Sequence, residues 1–89
     1  MEGNDKIVVH PNIVLREEFD DHAFLYDPDS GGIFPLNPVG VFIWKHLDGN
    51  HTIDTLLERM REHFENVPDS AAAHIRSFLN DLSERGFIL

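Results

Sequence analysis

The segment from Leu36 to Thr52 constrains the fold of this chain more than any other. Asn37 followed by Pro38 predicts the start of a helix, because asparagine caps helices and proline loses no hydrogen bond at the first helical position. The helix that follows is short and apolar on most of its surface, through Val39, Phe42, Ile43, Trp44 and Leu47. Asp48-Gly49-Asn50 ends this helix, and Thr52 is placed to cap the next one. The sequence therefore predicts a first helix that must be buried.

The stretches before this helix have the composition of short strands. They are Ile13–Glu18, His22–Asp27 and Ile33–Leu36, with a first turn near Asp20-Asp21. Asp27 through Gly32 is dense in turn-forming residues and predicts a second turn. Pro35 has no N–H to donate to a strand ladder, so the third strand is expected at the edge of the sheet.

The second half of the chain has helical periodicity. One apolar stripe comprises Ile53, Leu56, Leu57, Met60 and Phe64, and a second comprises Ala71, Ala72, Ile75, Phe78, Leu79 and Leu82. Asn66-Val67-Pro68 separates the two helices, and Asp69 or Ser70 is placed to cap the third. Gly86 is expected to end it as a C-terminal cap, after which residues 87–89 return to the core.

Strands followed by helices without βαβ alternation predict an α+β domain. The expected architecture is winged-helix-like, with a three-stranded antiparallel sheet followed by a three-helix bundle. At 89 residues the chain is long enough for one domain. We expect that domain to span residues 11–89, preceded by a flexible N-terminus at residues 1–10.

Composition narrows the classes of partner. Sixteen acidic and seven basic residues give a formal net charge of −9, which repels nucleic-acid phosphates and favours proteins or basic peptides, or only keeps the chain soluble. No apolar run reaches the roughly 18 residues needed to cross a bilayer. The first residues lack the basic and apolar regions of a signal peptide. We therefore expect a cytoplasmic protein with neither nucleic-acid nor membrane partners.

The residue pattern does not predict an enzyme, a metal site or a cofactor. The chain has no cysteine, and its six histidines lack metal-ligand spacing; the closest pair is His46 and His51. Asp27-Pro28-Asp29 resembles the start of a calcium loop, but Pro38 stands where that loop needs glutamate. Glu17 and Glu18 are neighbours in a strand and point to opposite faces, so they cannot act on one substrate atom.

The predicted edge strand, Ile33–Leu36, is the candidate binding element. An open edge is a template for an incoming peptide strand, and the groove between this strand and the third helix would select alternate side chains. A second interpretation stays open, in which Pro35 and the short length of the strand only protect the edge from aggregation.

The order of several short motifs resembles the PqqD-like family over residues 11–89. The matching elements are Leu25-Tyr26, Leu36-Asn37, Asp48-Gly49, Thr52, Phe64, Phe78-Leu79 and Arg85-Gly86. The resemblance implies a non-catalytic peptide chaperone, a recognition element for ribosomally made and post-translationally modified peptides. Such a protein binds the leader of a precursor peptide as an added strand and presents it to a modifying enzyme such as a radical SAM protein. The implied fold agrees with that predicted from the residues.

Carried over by position, the resemblance implies a peptide-binding groove with two walls. The strand contributes Ile33, Phe34, Pro35 and Leu36, and the third helix contributes Ala73, Arg76, Ser77, Leu79 and Asn80. The turn from Asp27 to Gly32 is longer than in the founding members, and the chain ends in Gly-Phe-Ile-Leu where they tend to have Gly-Trp-Leu. These departures point to the broad PqqD-like group rather than to production of pyrroloquinoline quinone (PQQ) itself.

Two further questions stay open at this level. The modifying enzyme that the resemblance implies is a radical SAM protein, a different maturase or a kinase-like protein, and the oligomeric state is monomer or homodimer. The alternative function is a winged-helix transcriptional regulator or another protein-interaction module. Its recognition helix, near residues 70–85, has only Arg76, Arg85 and His74 as basic groups beside Asp81 and Glu84, a poor surface for binding phosphates.

Overall fold

A computed structural model describes residues 7–18 and 22–89. Strands β1 (Val14–Glu17), β2 (Ala23–Tyr26) and β3 (Ile33–Leu36) form one antiparallel sheet in the order β1-β2-β3. The predicted α+β class and edge position of the third strand are confirmed. The first two strands are shorter than expected from the sequence, and the turn predicted at Asp20-Asp21 lies outside the described residues.

The turn between β2 and β3 is held together by Asp27. Its carboxylate accepts hydrogen bonds from the backbone N–H of Asp29 and from the Ser30 hydroxyl, each at 2.9 Å. Gly31 supplies the positive φ, at 76°, that this turn needs. The turn brings Tyr26 opposite Ile33 and so fixes the register of β3.

Helix α1 (Pro38–Lys45) begins directly at the end of β3. Asn37 is its N-cap, and the side-chain oxygen accepts a hydrogen bond from the backbone N–H of Gly40 at 2.8 Å. The helix ends two residues earlier than the apolar pattern suggested, but Leu47 is still buried. The predicted start of the helix at Asn37 and Pro38 is confirmed; Ile43 and Trp44 are buried as expected, whereas Val39 is 37% exposed and Phe42 is half-buried.

Helices α2 (Ile53–His63) and α3 (Ala71–Glu84) complete the chain. Thr52 and Thr55 form a capping box at the start of α2, each side chain accepting from the other residue's backbone N–H. Ser70 occupies the N-cap position of α3, but its side chain makes no capping hydrogen bond. None of the helices in the described ranges is long and apolar enough to cross a membrane.

Gly86 ends α3 in a Schellman motif. Its φ is 75°, its N–H donates to the carbonyl of Ser83, and the N–H of Phe87 donates to the carbonyl of Leu82. The chain then turns back, so that Phe87 and Ile88 are buried as predicted, whereas Leu89, which was also expected in the core, is 76% exposed.

The core lies between the helices and one face of the sheet. Its fully buried side chains come from β2, α2 and α3, and are Leu25, Ile53, Leu56, Ile75, Leu79 and Leu82. Trp44 is 7% exposed and closes the core from α1. None of the helices in residues 7–18 and 22–89 packs on the opposite face of the sheet. This outer face consists of Val14, Arg16, Phe24, Tyr26, Ile33 and Pro35.

Residues 7–10 differ from the flexible N-terminus expected for residues 1–10. Ile7 is only 3% exposed, Val8 pairs with Asp48, and Val9 pairs with Ile88. The reason is that Ile7-Val8-Val9 is itself an apolar run, which the loop after α1 and the C-terminal segment cover. The boundary at residue 11 is therefore too late, and residues 1–6 lie outside the described residues.

Asn37→Ala should lower the free energy of unfolding by about 1 kcal/mol, because it removes the side-chain acceptor of the α1 cap. Urea denaturation followed by far-UV circular dichroism measures this loss. Asn37→Asp is the matched control, since a carboxylate accepts the same hydrogen bond. An equal loss in both variants would show that the cap does not act through this bond.

Candidate peptide-binding site

The outer edge of β3 presents free backbone groups in a defined pattern. The N–H of Asp27 donates to the carbonyl of Gly32 at 3.0 Å, which makes this pair a hydrogen-bonded one. Antiparallel pairs alternate, so Phe34 and Leu36 are bonded to β2 while the backbone groups of Ile33 and Pro35 point away from it. The open edge therefore offers the N–H of Ile33 and the carbonyls of Ile33 and Pro35.

Charge distinguishes the two edges of the sheet. Strand β1 is the other edge, and its last residues, Arg16 and Glu17, are followed by Glu18. Charged side chains on an edge strand oppose pairing with another strand. Strand β3 has no charged residue. Pairing of a partner strand with β3 is therefore less unfavourable electrostatically than pairing with β1.

Aromatic contacts connect β3 to the last helix. The Phe34 ring lies 6.0 Å from Phe78 and 6.3 Å from Phe87, in edge-on geometry. The Arg85 guanidinium lies 4.8 Å from the centroid of the Phe34 ring, a cation–π distance. Phe34 and Leu36 therefore face the helices, and Ile33 and Pro35 lie on the outer face.

An apolar cavity of about 410 Å³ opens beside the end of β3. It lies among the starts of α1 and α3 and the middle of α2, and its walls include Val39, Gly40, Ile43, Met60, Ile75 and Phe78. Asn37 and His74 are the polar side chains of its lining. A mainly apolar cavity with few polar groups suits an aliphatic or aromatic side chain.

The predicted site residues fall into three groups. Ile33, at 55% exposed, and Pro35 are on the surface, and Phe34 is half-buried. Leu36 and Leu79 are buried, at 7% and 0% exposed, because they pack in the core behind the edge. The remaining predicted residues are exposed on α3 and do not line the cavity, namely Ala73, Arg76, Ser77 and Asn80; their role in binding stays a prediction.

Three residues that the sequence analysis did not select face β3 or the cavity. They are His74 and Phe78, which line the cavity, and Arg85, which lies over Phe34. They are spaced by four and seven residues and so share one stripe of α3, beside the core stripe. The periodicity could have predicted this stripe, but which side of the core faces β3 depends on how α3 packs.

The structure also gathers histidines that are distant in sequence. The Phe42 ring lies 4.3 Å from the ring of His46 and 4.8 Å from that of His63, and His46 lies 5.2 Å from His51. The Phe42 carbonyl can only accept, so His46 donates to it from Nδ1 at 2.8 Å. Within residues 7–18 and 22–89, no group of three or more potential ligands is arranged to hold a metal ion.

Hydrogen bonding keeps the Asp27 carboxylate ionised. The backbone N–H of Asp29, followed by the Ser30 hydroxyl, lowers the pKa of Asp27. In the loop after α1, His51 and then the backbone N–H of Asn50 lower the pKa of Asp48 in the same way. Both carboxylates therefore stay ionised to a lower pH than an ordinary aspartate does.

The fold and the open edge define a class of small α+β domain suited to accept a peptide strand. The model of the family described as Coenzyme PQQ synthesis protein D (PqqD) matches residues 22–88, so the chain belongs to the PqqD family. PqqA binding protein 2 of Pseudomonas putida is 38% identical over 47 residues. That match covers 53% of this chain and 49% of the relative, about half its length.

Two solved structures share the fold. TbiB1, solved in complex with the TbiA(β) leader peptide, superposes with a TM-score of 0.74 at 20% identity, covering 91% of this chain and 93% of that one. Lasso peptide synthetase B1, complexed with its leader peptide, gives a TM-score of 0.77 at 23% identity, with 94% and 98% covered. This likeness shows that the three-strand, three-helix architecture is shared.

Asp27→Asn should make the thermal midpoint less sensitive to acid. Because the folded-state pKa of Asp27 is lowered, its contribution to stability is present above the unfolded value and is lost as pH falls through the folded value. The wild type should therefore lose more stability than the variant on acidification below about pH 4, as differential scanning calorimetry would measure. Asp29→Asn is the control, because the Asp29 carboxylate accepts none of the turn's hydrogen bonds; equal pH profiles for wild type and Asp27→Asn would contradict the assignment.

Proposed function

We propose that this protein binds the leader of a ribosomally made precursor peptide as a fourth strand on β3 and presents it to a modifying enzyme. The observation that supports this most directly is the uncharged open edge of β3 beside an apolar cavity. The protein contributes binding and positioning, and the partner enzyme performs the chemistry.

The relatives support the same function. The family description concerns coenzyme PQQ synthesis, and the Pseudomonas putida relative is named for binding PqqA. TbiB1 and lasso peptide synthetase B1, which share this fold, were each solved in complex with a leader peptide. The guest of this chain belongs to the same chemical class, a peptide that is extended when bound.

Backbone hydrogen bonds would supply the part of the affinity that does not depend on guest sequence. The guest accepts one bond from the N–H of Ile33 and donates to the carbonyls of Ile33 and Pro35. Each such bond contributes about 1 kcal/mol net, which is too little for tight binding without side-chain contacts. The guest is therefore selected mainly by its side chains.

Side chains of the guest alternate between the two faces of the extended sheet. Those that point toward the helices meet Phe34 and Phe78, and the cavity beside Val39 takes an aliphatic or aromatic one. Burying one such side chain contributes about 2 kcal/mol. We infer that the contact residues on the helices are Val39, His74 and Phe78, in addition to the exposed α3 residues predicted from the resemblance.

Holding the leader would raise the local concentration of the modifiable part of the peptide at the enzyme. The enzyme is a radical SAM protein, another maturase or a kinase-like protein. The regulator interpretation has no comparable support, because the net charge of −9 opposes binding to phosphates.

A synthetic leader peptide from the short open reading frame nearest this gene should bind with saturable NMR shifts. We expect them at Ile33 and Phe34 and along α3 at His74 and Phe78, with micromolar or tighter affinity. Val39→Gln should weaken binding about tenfold, since it places an amide in the apolar cavity. Val8→Gln is the matched control, because Val8 is 42% exposed against 37% for Val39 and lies outside the cavity.

Two outcomes of this titration would contradict the proposal. Shifts confined to β1, or an equal loss of leader affinity in Val39→Gln and Val8→Gln, would show that the leader does not bind at β3. Absence of shifts with the leader, together with salt-sensitive binding to a DNA duplex, would establish the regulator instead.

Pro35→Val should tighten leader binding by roughly threefold to tenfold, because it adds the one N–H donor that the open edge lacks. Isothermal titration calorimetry measures the change. The same variant should self-associate more readily in analytical ultracentrifugation, since proline protects edge strands. Unchanged values for both properties would show that the Pro35 position does not face a partner strand.

A further inference from the structure

The outer face of the sheet is mostly apolar, but none of the described helices packs on it. The register aligns Val14, Tyr26 and Ile33 in one row and Arg16, Phe24 and Pro35 in the next. Val14 is 41% exposed and Ile33 is 55% exposed, and the two aromatic side chains are half-buried. The core lies on the other face, so this surface is not needed to hold the helices.

The outer face continues into the proposed guest strand. Ile33 and Pro35 belong to both features, because their side chains lie on this face and their backbone groups point to the open edge. In a guest strand added beside β3, every second side chain falls on the outer face and extends the two rows. A partner seated there would contact the carrier and the guest at once.

Charge at the margins indicates the chemistry of that partner. Glu18 continues β1 at one end of the sheet, and Asp27 and Asp29 lie in the turn at the other end. Hydrogen bonds from Asp29 and Ser30 lower the pKa of the Asp27 carboxylate. Arg16 lies on the same face as Glu18 and two residues from it, so its charge offsets that of Glu18, and the acidic margin of the face is the turn at Asp27 and Asp29.

A second copy of this chain is a poor occupant. Face-to-face packing would bring together two identical faces that each carry an acidic turn, on two molecules that each carry a net charge of −9. A protein surface with an apolar centre and a basic margin opposite the turn at Asp27 and Asp29 matches both the hydrophobic and the electrostatic pattern.

We propose that the outer face is the docking surface for the modifying enzyme, which presents an apolar ridge with lysine or arginine side chains at the end that faces the turn at Asp27 and Asp29. This inference rests on the proposed function, because it assigns a place to the enzyme that receives the bound leader. Because the guest strand extends the face, the enzyme binds the loaded carrier more tightly than the empty one.

The test measures enzyme binding and leader binding separately on the same variants. The probe is the purified modifying enzyme encoded beside this chain, titrated with the full-length protein by biolayer interferometry, with and without the synthetic leader. Val14→Glu should weaken enzyme binding by at least about tenfold, because it places a charge in the centre of an apolar interface. Leader affinity should not change, since Val14 lies on the far edge strand.

Two further variants make the result specific. Leu89→Glu is the matched control, because Leu89 is 76% exposed and lies outside the sheet; it should bind enzyme as the wild type does. Asp29→Lys should weaken enzyme binding and reduce its dependence on salt, since the proposed partner places basic side chains opposite this turn.

Three results would overturn the inference. The first is that Val14→Glu binds the enzyme as tightly as the wild type does. The second is that the enzyme binds the loaded and the empty carrier with equal affinity. The third is that the wild-type protein is a homodimer and Val14→Glu converts it to a monomer. If the wild-type protein does not bind the leader, the proposed function is wrong instead. The leader titration alone shows this outcome, without the enzyme.

Discussion

The junction between β3 and α1 is the constraint on which the rest of the structure depends. Leu36 ends the strand inside the core, and a Cβ at Gly40 would lie 3.1 Å from its side chain. Asn37 caps the helix in between, and Pro38 prevents the strand from continuing. This close approach holds β3 beside α1, so the open edge of the last strand of the sheet lies next to the cavity at the start of α1.

The sheet is used on both faces and on one edge. Its inner face is committed to the core through Leu25 and Leu36, whereas its outer face and the β3 edge remain accessible. A three-stranded sheet of four-residue strands buries little surface by itself, so the helices must supply the stability. A carrier of this construction can take a guest strand without opening its core.

Net charge and local charge have different roles in this molecule. The charge of −9 repels phosphate-rich partners at long range. Locally, the edge that would receive a strand is uncharged, and carboxylates are placed in the turn at Asp27 and at the end of β1. The carboxylates that would attract a basic partner are therefore separate from the backbone edge that would receive a strand. This separation would allow the proposed peptide and the proposed enzyme to bind at the same time.

The sequence by itself determined the elements and much of the edge. Apolar periodicity, the Asn37 and Thr52 caps and the Gly86 stop are local signals, and Pro35 placed β3 at an edge because proline lacks a donor. Tertiary packing decided the helical wall of the site. His74, Phe78 and Arg85 face β3 or the cavity because of how α3 rotates about its axis when Leu79 enters the core, and that rotation depends on contacts between residues far apart in the chain. Other long-range contacts, from the loop after α1 and the C-terminal segment, bury Ile7; the apolar run from Ile7 to Val9 gives no sign of which segments cover it.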